Sequence, residues 1–169
     1  MRKILLNIVL GVCFLMAVSC GKNTVYQGRH SFDNNIWERL SEEKTVNFEN
    51  IEIKDTSKIY DIYVSLRHTP YINENPIEFV LHIKSPSGID RQSVHKVELM
   101  DRFKNKWIGD AMGDMIDVEQ KVRSFVNFHE KGKYTITITN MGKYKQTVGI
   151  MDLGIKIKKA NLSDYKNIK

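Results

Sequence analysis

The strictest constraint on how this chain folds is alternation. From Tyr60 to Arg67, Tyr60, Ile62, Val64 and Leu66 fall on every second residue, with Asp61, Tyr63, Ser65 and Arg67 between them. A strand sends successive side chains to opposite faces, so this set shares one face; a helix would scatter it around its axis. The same beat returns at Ile77, Phe79, Leu81 and Ile83, and again at Tyr134, Ile136 and Ile138 with three threonines between and after them. Each stretch is predicted as a half-buried antiparallel strand.

Turn signals divide these strands. Asp55-Thr56-Ser57, Ser85-Pro86-Ser87-Gly88 and the two-proline loop from Thr69 to Pro76 are predicted as turns, and Glu130-Lys131-Gly132-Lys133 as a hairpin turn. Further strands are expected at Thr45–Ile53 with a break near Asn50, Val94–Met100, Met115–Val122, Ser124–His129 and Gln146–Lys158. A phase shift between Ile150 and Leu153 predicts a bulge near Asp152. Tyr26–Ser41 reads as an irregular lead-in, opened by a short strand at Val25–Gln27, whose aromatics dock on the core. The expected fold is all-β: an antiparallel β-sandwich of jelly-roll type with about eight or nine strands, spanning residues 26–160. The tail 161–169 is polar and expected to fray.

The other informative stretch is the start. Arg2 and Lys3 precede an apolar run that ends in Ala17-Val18-Ser19-Cys20. A basic head, an apolar segment and small residues at the cut form a secretory signal peptide, here residues 1–19. A membrane-spanning helix needs about 20 apolar residues, more than this run supplies. Cys20 directly after the small residues matches the bacterial lipoprotein signal, in which the sulfur receives a diacylglyceryl group and the chain is cut before it. Two or more acyl chains anchor a protein stably, at about 0.8 kcal/mol per buried methylene. Residues 20–25 then form a lipidated tether between the bilayer and the folded body.

Of 169 residues, removal of 19 leaves about 150, a size that buries roughly 68–70% of the unfolded surface in one domain. Net charge is +6; Arg2 and Lys3 leave with the leader, so the mature value is nearer +4. The basic residues are spread along the chain, with Lys156-Ile157-Lys158-Lys159 alternating, which fits a solvated sheet face rather than a nucleic-acid site. Cys13 lies inside the leader and Cys20 is the only other cysteine, so the mature chain has no internal disulfide and no Cys-based zinc site.

No catalytic constellation stands out. His30, His68, His82, His95 and His129 are scattered; His82 and His95 fall on outward positions of neighbouring strands, where they would meet. Asp110, Asp114 and Asp117 group near glycines, an oxygen-rich set of the kind calcium takes, but without EF-hand spacing. Neither set is assigned a metal, and no cofactor is expected. Trp37, Trp107 and Tyr71 would stack on sugars if exposed; core or loop anchoring is the plainer role. Arg67 would pair with an acidic partner or form an internal salt bridge.

Three blocks in order carry a resemblance. The first is Tyr60 to His68 with Tyr71 and Asn75; the second is Pro86, Gly88, Leu99, Trp107-Ile108-Gly109 and Gly113-Asp114; the third is Gly132, Tyr134, Ile136, Met141 and Gly149 to Ile155. With the lipoprotein signal in front, the chain resembles the gliding-motility lipoprotein family GldH of the Bacteroidota. The resemblance implies a non-enzymatic, lipid-anchored envelope protein of the gliding machinery, linked to type IX secretion. Its expected partners are the bilayer, through acylated Cys20, and other envelope or gliding-motility proteins. Gly21-Lys22-Asn23-Thr24 lacks the acidic residues that mark surface export in that phylum, so the expected place is the outer membrane facing the periplasm. The alternative is a carbohydrate-binding envelope lipoprotein, recognised by an exposed Trp37 or Trp107 beside a shallow groove.

Overall fold

The computed structural model describes residues 23–161; the leader 1–19, Cys20 with the first tether residues, and the tail from residue 162 lie outside the described residues. The strands are β1 (Thr24–Ser31), β2 (Ile36–Glu38), β3 (Thr45–Ile53), β4 (Tyr60–His68), β5 (Ile77–Lys84), β6 (Asp90–Val97), β7 (Met100–Asp101), β8 (Lys106–Trp107), β9 (Asp110–Met112), β10 (Met115–Val126), β11 (Gly132–Asn140), β12 (Gln146–Val148) and β13 (Ile150–Lys159). One sheet has the order β1-β13-β4-β10-β9 and the other β3-β11-β5-β6; β12-β2 and β7-β8 are separate two-stranded ribbons. Every pairing is antiparallel.

The two larger sheets share one core. Ile62, Val64 and Leu66 of β4 and Leu153, Ile155 and Ile157 of β13 belong to the same buried cluster as Phe79 and Leu81 of β5 and Ile136 and Ile138 of β11. Phe128 bridges the sheets, with its ring edge-on to Tyr60 at 5.3 Å and to Tyr134 at 4.9 Å. Full burial of side chains this size is worth about 1.5–3 kcal/mol each, so the alternating faces fix register: a slip of one residue would turn them to water.

Several expectations need correction. Thirteen strands are present among the described residues rather than eight or nine. Five of them are pieces of two or three residues, too short for alternation to register. The strand expected at Val94–Met100 runs instead from Asp90 to Val97, as the polar edge strand of a hairpin with β5. Met115–Val122 and Ser124–His129 merge into the single strand β10, which has Phe125 at φ 56° and an irregular register against β4. Glu130–Lys133 joins the two sheets rather than closing a hairpin. The lead-in is more regular than expected, because β1 is an eight-residue edge strand along β13. Two local irregularities fall where the sequence places them: Asn50 has φ 56° opposite a register shift in β11, and the register of β13 on β4 shifts between Ile150 and Asp152.

Candidate functional site

The outward residues of the five-stranded sheet form the most organised polar surface. Ser31, Asp152, Arg67, Asp117 and Asp110 lie side by side across β1, β13, β4, β10 and β9, each in register with the next. Arg67 grips Asp117 with two parallel bonds, Nε to Oδ1 and Nη2 to Oδ2, both 2.8 Å. Its Nη1 lies 3.7 Å from Asp152 Oδ2, which Arg29 also approaches at 3.2 Å. Ser31 Oγ donates to Asp152 Oδ1 at 2.6 Å.

The forked bond to Arg67 holds the Asp117 carboxyl below the usual carboxylate range, and the same bond raises Arg67 above its ordinary value. Arg67 is therefore the internal salt bridge of the two roles its sequence context allows.

The next row is Arg29, Gly154, Ser65 and Glu119. Its two central residues are small, so the sheet surface sinks into a trough of about 210 Å³ walled by Arg29, Arg67, Asp117, Glu119, Asp152 and Lys156. Gly154 leaves room there: a Cβ would stand 2.3 Å from Ser65 Oγ, which would have to turn away, and 3.2 Å from the Gly28 carbonyl oxygen. Lys156 pairs with Glu119. Further along, the Lys158 and Lys121 ammonium groups flank the Tyr63 ring at 4.7 and 5.4 Å, and Lys121 binds Asp61 at 2.8 Å. The face thus presents fixed, alternating charge, a surface suited to matching the charge pattern of a partner.

A second polar cluster is buried. Glu74 is 8% exposed and accepts bonds from Lys143 N and from Thr147 Oγ1 at 3.0 Å. Asn140 Nδ2 donates to Trp37 O at 3.1 Å, and its Oδ1 receives Gly142 N at 2.7 Å. This cluster ties the 69–76 loop to the 140–148 segment. Gly142 leaves the room that Glu74 occupies, since a Cβ there would come within 2.2 Å of Oε2.

The residues singled out in the sequence separate. Cys20 lies outside the described residues. His82 and His95 do not meet: His82 sits opposite Gln92 and binds Asp90, while His95 sits opposite the core residue Phe79 and bonds Ser93 Oγ at 2.8 Å. They occupy opposite faces of one sheet, because pairing with Phe79 gives His95 the inward phase of Val97, while Val94 faces water.

Asp110 faces Asp117 across β9 and β10, but Asp117 is engaged by Arg67. Among the described residues no group of three His, Cys, Asp or Glu is placed to hold a metal. Trp37 is completely buried, stacked on Phe32 at 5.4 Å with its Nε1 donating to Lys44 O. Trp107 packs against the core, 5.2 Å from the buried His68 ring. Of the two indoles that a sugar platform would use, Trp37 is enclosed and Trp107 is half-buried; Tyr71 is exposed.

His68 itself is notable. Its Nδ1 bonds Thr69 O at 2.8 Å, its Nε2 has no partner among the described residues, and burial pushes its pKa below the ordinary value.

The sequence profile described as GldH lipoprotein matches residues 24–157. The chain belongs to the GldH lipoprotein family. A relative described as a gliding motility lipoprotein GldH homolog, from Christiangramia forsetii, is 26% identical over 150 residues, covering 85% of this chain and 88% of the relative. Among solved structures, a family 35 carbohydrate-binding module from Clostridium thermocellum superposes with a TM-score of 0.40 at 14% identity, covering 81% of this chain and 90% of the module. A family GH115 4-O-methyl-α-glucuronidase gives a TM-score of 0.42 at 11% identity, covering 85% of this chain, which spans only 18% of that enzyme. Likeness this low transfers no property to the GldH-family chain.

The sequence marks Asp152 only as a bulge position and Lys156 only as part of a lysine tract, and gives no site role to Arg29 or Glu119. The signal for Asp152 and Lys156 is the outward phase of β13, Asp152-x-Gly154-x-Lys156-x-Lys158, visible once the bulge is placed.

Proposed function

We propose that this GldH-family protein is a cell-envelope lipoprotein, anchored through acylated Cys20, that serves the gliding-motility and type IX secretion-linked machinery by binding other proteins rather than by catalysis. The observation that carries this reading is the family match over residues 24–157, immediately behind a lipoprotein signal ending in Cys20. The relative described as a gliding motility lipoprotein homolog supports the motility assignment. The ordered charges around Arg67 support a contact role.

The body, residues 26–160, reads as a jelly roll. In its favour, the eight long strands run in the sheet orders β1-β13-β4-β10 and β3-β11-β5-β6, so every successive connection but the β5–β6 hairpin passes between sheets and each sheet mixes early with late strands. The uncharged-to-basic tether Gly21-Lys22-Asn23-Thr24 favours the outer membrane facing the periplasm.

Replacing Cys20 with Ser in the native host tests the anchor. The variant is expected to leave the membrane fraction and to lack lipid mass. Unchanged membrane retention, with no lipid found on the wild type by mass spectrometry, would overturn the reading. Proteolysis of intact cells tests the location, with protection until lysis as the expected result.

A further inference from the structure

An anchor at Cys20 leaves little room between bilayer and body. Asn23 O accepts Lys159 N at 2.8 Å and Ile59 O accepts Ala160 N at 2.9 Å, so the chain enters the fold where β13 ends and β4 starts. Cys20 lies three residues before Asn23, a reach of about 10 Å. Charges act across about 8 Å at physiological salt. Acylation of Cys20 would therefore bring this end of the body, and no other, to the range of lipid headgroups.

The tether end is built from the last residues of β3, β5 and β13, the first of β4, β6 and β11, and the links between them. Tyr60 Oη donates to Asp55 O, Phe128 packs edge-on against Tyr60 and Tyr134, and Glu130 accepts from Ser87, so the links 54–59, 85–89 and 127–131 close one surface. Its residues 52–61, 84–91, 127–133 and 158–161 hold eight Lys or Arg against five Asp or Glu. The far end, residues 32–45, 68–77, 97–117 and 140–150, reverses the balance, with seven Lys or Arg against ten Asp or Glu.

Each acid at the tether end is engaged within the fold. Glu52 binds Lys54 at 3.3 Å, Asp61 binds Lys121 at 2.8 Å and Asp90 binds His82 at 3.2 Å. Asp55 Oδ1 accepts from Ser57 N at 2.9 Å, and Glu130 accepts from Ser87 Oγ at 2.7 Å. The cations are not matched in this way. Lys58, Lys84, Arg91, Lys131, Lys133 and Lys159 are all exposed and form no salt bridge among the described residues. Ile89, 58% exposed in the 85–89 turn, lies in sequence between Lys84 and Arg91. An apolar side chain flanked by cations suits the boundary between headgroups and acyl chains.

We propose that the tether end is a footing that docks on anionic phospholipid headgroups, with Lys58, Lys131 and Lys133 against the phosphates and Ile89 at their level. The inference rests on the Cys20-anchored reading above and adds what the anchor holds against the bilayer and which way the body stands. A gap of about 10 Å is too narrow for a folded protein, whose radius of gyration is about 13 Å for 100 residues, so the occupant is the lipid surface itself. Docking there points the far end, residues 97–117 and 140–150, away from the membrane.

The test uses the acylated protein purified from its host. Cys20 is the only cysteine of the mature chain, so once it is acylated a second cysteine takes a bimane label alone. The label is placed by Ile89→Cys or, as a far-end control, by Phe103→Cys, both at exposed positions. The vesicles are phosphatidylcholine alone or an equal mixture with phosphatidylglycerol, carrying headgroup spin labels that quench bimane. Quenching at position 89 is expected to be at least about threefold stronger in the mixed vesicles, since each Lys or Arg near an anionic surface strengthens attraction about fivefold. Molar salt should abolish the difference, and position 103 should not be quenched. The K58Q/K131Q/K133Q triple substitution should reduce the mixed-vesicle signal to the neutral one, whereas R102Q/K106Q/K145Q, which removes the same charge from the far end, should leave it unchanged. Quenching that ignores phosphatidylglycerol or salt, that is equal at the two positions, or that falls equally with both triple substitutions would overturn the proposal. The lipid and salt comparisons keep every charged side chain in place, so a variant that misfolds does not decide the result. Flotation of the same samples reads the anchor separately. A protein that floats without quenching at position 89 keeps the anchor and loses the docking, and one that does not float loses both.

Discussion

The two sheets bury the same kind of side chain and show water quite different ones. The five-stranded sheet presents a lattice of Arg67, Asp117, Asp152, Arg29, Glu119 and Lys156. The four-stranded sheet presents Thr135, Thr137 and Thr139 of β11, with neutral bonds from Thr137 Oγ1 to Asn47 at 2.8 Å and between the Thr45 and Thr139 hydroxyls at 3.3 Å. β-Branched threonines suit a strand by themselves. Contacts on both faces nevertheless need one register, since they join strands distant in sequence: Arg67 and Asp117 are 50 residues apart and Arg29 and Asp152 123, while Thr137 and Asn47 are 90 apart and Thr45 and Thr139 94. What separates the two faces is the kind of contact that assembly makes, linked charges on the five-stranded sheet and neutral hydroxyl bonds along β11.

The largest effects should erase the contrast. Ile62→Ala in one sheet and Ile136→Ala in the other are each expected to cost about 2–5 kcal/mol, with a single unfolding transition in both variants by denaturant titration. Two transitions would show that the sheets fold separately and that the shared core does not couple them.

Next in size is Gly154→Ala, expected to cost about 1–3 kcal/mol because its Cβ would meet Ser65 Oγ. Adding Ser65→Ala should recover much of the loss, and a double-mutant cycle by denaturant titration measures the coupling. Additivity would mean that the trough floor is looser than its geometry.

Acid separates core from face. Burial lowers the His68 pKa in the folded state, so the unfolded chain binds its proton first. Stability should therefore fall as pH drops below about 6.5, with His68 contributing a slope of at most about 1.4 kcal/mol per pH unit. His68→Gln should remove its share of that limb in thermal melts across the range, leaving the share of His95, whose pKa burial also lowers.

Asp117 acts at lower pH. Its folded pKa is depressed by Arg67, so its stabilisation is present above about pH 4 and is lost as pH falls through the folded value. Asp117→Asn should remove this lower limb and be milder in high salt, which screens exposed pairs. The smallest effect is expected at the neutral Thr137–Asn47 bond: Thr137→Val should change stability by about 0.5 kcal/mol or less.

The long strands were readable because burial imposes a period of two on the residues themselves. Ile77–Lys84 and Thr45–Ile53 have the bounds their alternation indicates, and the bulge near Asp152 shows as a phase shift. The start of the edge strand β6 was hidden because Asp90-Arg91-Gln92-Ser93 carries little apolar signal, and the face of His95 was hidden because the apolar Val94 turns to water while His95 pairs with Phe79. Arg67 was legible as a salt-bridge residue, but its partner was not. Trp37 and Trp107 were legible as anchors; their surroundings, Phe32 and His68, were set by contacts the sequence does not order.

By itself the sequence determined an all-β body with half-buried, alternating strands, and membership of the GldH lipoprotein family follows from it. Alternation and turn chemistry are local, encoded within a few residues of one another. Only tertiary structure decided that Arg67 faces Asp117 and that Gly154 and Ser65 open a trough between charges. These relations depend on which strands become neighbours, which is fixed by the packing of two sheets on one core rather than by any segment alone.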